Sequence, residues 1–145
     1  MNVIAHFDTS ALIKLTLAEV GSGDAADLWE RADLITASQL AYTEARSGLA
    51  AAARDGRLSR PRLRPAVERL DALWTEVFAI DLDGAQATLA GILAEQHALG
   101  GADAVHIAAA LATETDDLVF VTWDQRQATG ALASGLAVSP VPHTS

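Results

Sequence analysis

The sequence predicts an α/β sandwich around a mostly parallel sheet, on three observations. Short apolar segments of strand length alternate with helical segments along the chain. The strand segments are continuous apolar runs instead of strict polar–apolar alternations, the pattern of strands covered on both faces. The chain has 145 residues, 50% hydrophobic and 20% charged, with a mean hydropathy of +0.21. That is material for one packed interior but not for two, so residues 1–145 are read as a single domain.

The first strand is Val3 to Phe7, ending at Asp8, and Thr9 or Ser10 can cap a helix running to Leu17. Gly21 to Gly23 breaks the chain before a short helix from Asp24 to Arg31. Leu34 to Ala37 forms the second strand. Ser38 caps a helix to about Arg54, with Ala41, Ala45, Leu49 and Ala52 at helical spacing and Asp55-Gly56 as its stop. Ser59 and Pro61 start the next helix, whose inner face carries Val67, Leu70, Leu73 and Trp74, although Pro65 disturbs its first turns. Val77 to Ile80 is the third strand, and Asp81 or Asp83 caps a helix to about His97. After Gly100-Gly101, residues Ala102 to Ala112 form a helix apolar nearly all round except at Asp103 and His106, hence buried on most sides. Leu118 to Thr122 is the fourth strand; a short helix follows Asp124, and Leu136 to Val138 closes the sheet.

Composition narrows the chemistry. The absence of cysteine excludes a disulfide framework, a thiolate nucleophile and iron–sulfur or cysteine-based zinc sites. No secretory leader pattern and no bilayer-length apolar stretch occurs, so the expected compartment is the cytoplasm, with no membrane association. A net charge of −9 repels nucleic acid overall, so phosphate chemistry would have to be local. Arg54, Arg57, Arg60, Arg62, Arg64 and Arg69 gather six of the ten cations into one stretch, either a basic patch or the solvated faces of a helix pair.

Ligands of open α/β sheets gather beyond the carboxyl ends of the strands, where strand order reverses. Asp8 follows the first strand and Asp124 the fourth, so both belong to that rim. Glu44 lies at the edge of its helix's apolar stripe, and Asp103 opens an apolar helix. Four acids brought together would repel, raising a pKa or requiring a cation, and hard Mg²⁺ or Mn²⁺ suits oxygen donors. Such an ion polarises a phosphoryl oxygen and activates water for in-line attack, which is nuclease chemistry. Each acid also has a plain structural role open to it. Asp8 and Asp103 can be helix N-caps, Asp124 can start the last helix, and Glu44 can pair with Arg46 or Arg31. His106, three residues after Asp103, can face the site but is read as a core or interface histidine; His6, His97 and His143 are given no role. Trp123 is either a base-stacking platform or an edge-of-core residue.

Four segments, in order, resemble the PIN-domain endoribonucleases, specifically the VapC-type toxins of bacterial toxin–antitoxin pairs. They are Phe7-Asp8-Thr9-Ser10-Ala11-Leu12-Ile13-Lys14; Tyr42-Thr43-Glu44 with Arg46; Gly101-Ala102-Asp103-Ala104-Val105-His106-Ile107-Ala108; and Val121-Thr122-Trp123-Asp124. The resemblance implies a PIN-like α/β/α sandwich and divalent-metal-dependent RNA cleavage at Asp8, Glu44, Asp103 and Asp124. In that picture Asp8 and Asp103 are the main metal ligands. Glu44 is a ligand or orients the attacking water, and Asp124 is a supporting or second-metal carboxylate. It implies products with a 5′-phosphate and a 3′-hydroxyl, a homodimer, and an antitoxin partner that blocks the groove. Thr9, Ser10 and Thr122 can hold the carboxylates by hydrogen bonds, and Arg46, Arg54 and Arg57 are candidate contacts to RNA or antitoxin.

Rival readings fit less well. Haloacid-dehalogenase-type enzymes carry Asp-x-Asp where this chain has Asp8-Thr9-Ser10, and receiver domains need a late lysine where the only lysine is Lys14. Gly21-Ser22-Gly23 follows a helix instead of a strand, the wrong setting for a dinucleotide site. The alternative within the same fold is a non-catalytic RNA- or protein-binding module.

Overall fold

The computed structural model describes residues 3–113 and 115–140; His143 lies outside them. The elements are β1 (Ile4–Phe7), α1 (Thr9–Thr16), α2 (Ser22–Arg31), β2 (Leu34–Ser38), α3 (Gln39–Arg54), α4 (Arg60–Trp74), β3 (Val77–Ile80), α5 (Gly84–His97), α6 (Gly101–Leu111), β4 (Leu118–Val121), α7 (Gln125–Ala133) and β5 (Ala137–Ser139). Every pairing is parallel and the order is β3-β2-β1-β4-β5. The chain builds outward from β1 in one direction, then returns to its other side through β4. The reversal therefore falls between β1 and β4, whose registers pair His6 with Phe120 and Phe7 with Val121.

Period-two alternation in β1 divides the interior. Ala5 and Phe7 join Leu12, Leu15, Ala25 and Leu73 in one apolar cluster, which brings α1, α2 and α4 to that face. Ile4 packs with Phe120, Leu93, Ile107 and Ala131 in the other, beneath α5, α6 and α7. His6 stacks on the Phe120 ring with centroids 5.4 Å apart. A third cluster of Ala45, Leu49, Val67 and Leu70 zips α3 to α4. Side chains such as Phe7, Leu12 and Phe120 are fully buried, so truncating one to alanine costs about 2–5 kcal/mol.

Two details settle what the sequence left open. Of the candidate caps of α1, Asp8 takes the role and Thr9 and Ser10 do not: its carboxylate accepts the Ala11 N–H, and Thr9 already belongs to the helix. α4 absorbs Pro65 without breaking, because the helix is held by Ala66, Val67, Leu70 and Leu73, all buried. The remaining elements match their expected bounds to within two residues.

Candidate active site

Asp8 sits in the crevice of the strand reversal and is buried. Its Oδ1 accepts the Ser10 hydroxyl (2.7 Å) and the Ala11 N–H (3.0 Å), and its Oδ2 accepts the Thr122 hydroxyl. The two hydroxyls are themselves fixed by backbone donors of the loop after β4. Trp123 N–H donates to Ser10 Oγ at 2.9 Å, and Asp124 N–H donates to Thr122 Oγ1 at 3.0 Å. β1 and β4 thus end in one hydrogen-bonded cradle around a single carboxylate. Burial pushes the Asp8 pKa above its ordinary value, against the opposing pull of Thr122, Ser10 and the Ala11 N–H.

Glu44 projects from α3 across the same edge. Its Oε1 accepts the Thr9 hydroxyl at 2.7 Å and lies 2.5 Å from Nε2 of His106. The His106 bond, helped by Thr9, holds the Glu44 pKa below the usual carboxylate value despite partial burial. With Glu44 ionised, the ring nitrogen must be the donor. Neither Arg46 nor Arg31 is the partner of Glu44. Arg46 Nη1 instead donates to the Tyr42 hydroxyl, which donates to Asp71 on α4.

Asp103 lies in the first turn of α6, while the helix cap is Gly100. Burial raises its pKa first, and the negative charges of Asp124 and Glu44 raise it further, opposed by His106 and Arg126. Asp124 and Glu44 are therefore each within electrostatic reach of Asp103. Gln127 Nε2 donates to the Asp103 carbonyl at 3.1 Å and ties α7 to α6. Asp124 caps α7, accepting the Arg126 and Gln127 N–H groups, and remains exposed. Asp8 and Asp124 thus do cap helices as well as standing at the site; Asp103 does not.

Sequence reasoning read His106 as a core or interface histidine and did not single out Gln127. His106 is buried and also bonds Glu44, since a residue three after Asp103 shares its helix face. Gln127 stands in the same relation to Asp124. Other candidates lie elsewhere. Trp123 packs into the β1 cluster, with its indole over Gly21: a Cβ there would meet the ring nitrogen at 2.7 Å. Arg54 ends α3, roughly 15 Å along the helix from Glu44. Arg57 pairs with Asp55, and Arg69 donates to the Leu15 carbonyl. The arginine stretch is thus remote from the acids.

The PIN domain family profile matches residues 6–131. The chain belongs to the PIN-domain family. Within it, this PIN domain groups with VapC proteins. It is 43% identical over 137 residues to Ribonuclease VapC45 of Mycobacterium tuberculosis (strain CDC 1551 / Oshkosh), covering 94% of this chain and 95% of that one. The same figures hold for Ribonuclease VapC49 of Mycobacterium tuberculosis (strain ATCC 25618 / H37Rv). Among solved PIN-like structures, VapC20 of Mycobacterium tuberculosis, a sarcin–ricin loop cleaving toxin, superposes with a TM-score of 0.67 at 18% identity, covering 92% of this chain and 96% of that one. VapBC2 from Rickettsia felis, bound to a DNA fragment from its promoter, superposes with a TM-score of 0.64 at 16% identity, covering 94% and 98%. At those identities the likeness carries the fold of this PIN domain, the five-stranded parallel sheet between helical layers.

Proposed function

We propose that this chain is a divalent-metal-dependent endoribonuclease and the toxin of a toxin–antitoxin pair. What supports the reading is that Asp8 and Asp124 follow β1 and β4 at the carboxyl edge of the sheet and that Asp124 and Glu44 lie within electrostatic reach of Asp103, in a chain 43% identical to two VapC ribonucleases. The donor chemistry fits Mg²⁺ or Mn²⁺. The four acids offer hard oxygens only, and the mutual repulsion felt by Asp103 is what a cation would relieve. Asp8 and Asp103 would hold the ion, with Asp124 and Glu44 completing the set. Among the described residues no three such side chains stand together ready to hold a metal; Asp103 and Asp124 are both reached by solvent. When bound, the cation supplies Lewis acidity toward the phosphate and the attacking water.

The chain's own groups do the rest. Ser10 and Thr122 keep the Asp8 carboxylate in one orientation and the backbone fixes them in turn. Glu44, held ionised by His106 and Thr9, is placed to accept a proton from an attacking water. Gln127 holds the start of α6 and hence Asp103.

An antitoxin is the expected protein partner, because the fold is shared with VapBC2 and with a toxin–antitoxin complex from Klebsiella pneumoniae. The Arg54 to Arg69 stretch, remote from the acids, suits contact with an acidic partner segment better than contact with the scissile phosphate. A homodimer is also expected: β3 is a sheet edge, and Phe78 at 61% and Ile92 at 45% leave large apolar side chains exposed on β3 and α5. No helix of the described residues is long and apolar enough to cross a membrane. Action in the cytoplasm, where the RNA is, follows from this reading.

The test is cleavage of purified RNA with Mg²⁺ and with a chelator, followed by mapping of the cut ends. Metal-dependent internal cuts bearing 5′-phosphate and 3′-hydroxyl ends are expected. Intact RNA under both conditions would leave the non-catalytic binding module as the reading.

A further inference from the structure

Beside the acid site a groove of about 540 Å³ opens between the end of α5 and α7. Asp103 forms one of its walls, so the groove adjoins the candidate acid site. Leu99 supplies an apolar face, and His97, Gln125, Arg126 and Thr129 supply imidazole, amide, guanidinium and hydroxyl groups around it. The volume falls within the range of small-ligand pockets, about 300–1,000 Å³.

The groove is built, not incidental. Ala98 ends α5 in the left-handed region, at φ 53°, where a side chain is strained. That turn brings Leu99 down onto α7, where it rests against the bare Cα of Gly130. A Cβ at Gly130 would meet Leu99 Cδ2 at 2.7 Å and Ile107 Cδ1 at 3.0 Å. Only glycine there leaves Leu99 seated as a wall. Arg126 and Asp103 line the same groove, so a cation stands beside the acid in a chain of net charge −9.

We propose that this groove is a nucleoside subsite, holding the nucleotide adjacent to the scissile phosphate of a single-stranded RNA; the proposal rests on the ribonuclease reading above. Unpaired bases are recognised by a flat apolar or guanidinium face together with hydrogen bonds to the base edge. Leu99 gives the face, the exposed Gln125 amide reaches the edge, the Thr129 hydroxyl, which donates to the Gln125 carbonyl at 3.0 Å, accepts from that edge, and Arg126 takes a backbone phosphate. Sequence preference at the position next to the cut is then set by Gln125 and Thr129.

The test uses full-length protein with Mg²⁺ and a panel of single-stranded oligoribonucleotides varied at the nucleotides flanking the cut. Thr129→Trp, on an exposed position of α7, fills the groove; Gln125→Ala and Arg126→Ala remove polar contacts without filling it. Thr129→Trp and Arg126→Ala are each expected to raise KM by about tenfold, with kcat changed less than about threefold. Gln125→Ala is expected to flatten the preference among bases beside the cut. Wild-type KM values and an unchanged cut-site pattern in all three, with the wild type active, would overturn the subsite alone. Absence of cleavage by the wild type would overturn the ribonuclease reading and the subsite with it. Should Thr129→Trp fail to fold, the two polar variants decide the question.

Discussion

Oε1 of Glu44 lies 2.5 Å from Nε2 of His106, joining α3 to α6 across the open edge of the sheet. This bond does more than any other to keep the Glu44 carboxyl ionised. His106→Ala should therefore lower kcat by about tenfold, leave KM nearly unchanged and move the acid limb of the pH–rate profile to higher pH. His106→Gln, which can still donate an N–H, should recover part of both. A pH profile identical to the wild type would remove His106 from any positioning role.

Asp8 presents the opposite balance. Its folded pKa is raised, so the ionised form at neutral pH burdens the folded state, and the burden disappears as pH falls through that pKa. A neutral isostere should relieve it. Asp8→Asn is expected to melt at or above the wild-type temperature while losing on the order of a hundredfold or more in RNA cleavage. Thermal unfolding followed by circular dichroism reads the first quantity. A drop of many degrees would mean that the carboxylate holds the fold together.

His6 gives stability a pH dependence. Burial, and then the charge of nearby His106, hold its pKa at about 3 against an ordinary 6.5, so the unfolded ring binds a proton that the folded ring refuses. Stability from this group is intact above pH 6.5 and is lost downward through that window, by about 1.4 kcal/mol per pH unit. His6→Asn keeps a polar atom for Thr36, the wild-type partner at 2.8 Å, but carries no titrating ring. Urea unfolding at pH 7 and pH 5 should show the wild type losing about 2 kcal/mol more than the variant. Equal losses would mean that the ring titrates normally.

Metal binding should be visible in stability as well as in activity. A ligand at a hundredfold excess over its Kd adds about 2.7 kcal/mol to a protein that binds it only when folded. Mg²⁺ or Mn²⁺ should raise the wild-type Tm by several degrees, and a chelator should reverse the rise. Asp103→Asn should show little of it. The same rise in wild type and variant would place the ion somewhere other than among the acids.

Much of this was legible in the sequence because the signals were local. Runs such as Leu118 to Val121 can only be buried strands, and Asp8 and Asp124 follow their strands directly, which places them on the rim whatever the helices do. Relations between distant residues were less legible. Glu44 has Arg46 as a neighbour in sequence, yet that arginine turns to Tyr42, and the partner is His106, sixty-two residues on. Clustering in sequence drew attention to Arg54 through Arg69, while Arg126, isolated in sequence, is the cation beside Asp103. Asp8 shows that a cap and a candidate site carboxylate are not alternatives: one carboxylate oxygen caps α1 while the other takes Thr122.

The central claim is that the acids at the strand reversal form one cation-dependent cutting site, and the most direct measurement of it is the RNA cleavage rate of Asp103→Asn against the wild type at saturating Mg²⁺. Asp103 caps no helix, so the substitution alters the site without removing a support of the fold. A folded variant with at least about a hundredfold slower cleavage is the expected result. A folded variant cutting at the wild-type rate would contradict the claim.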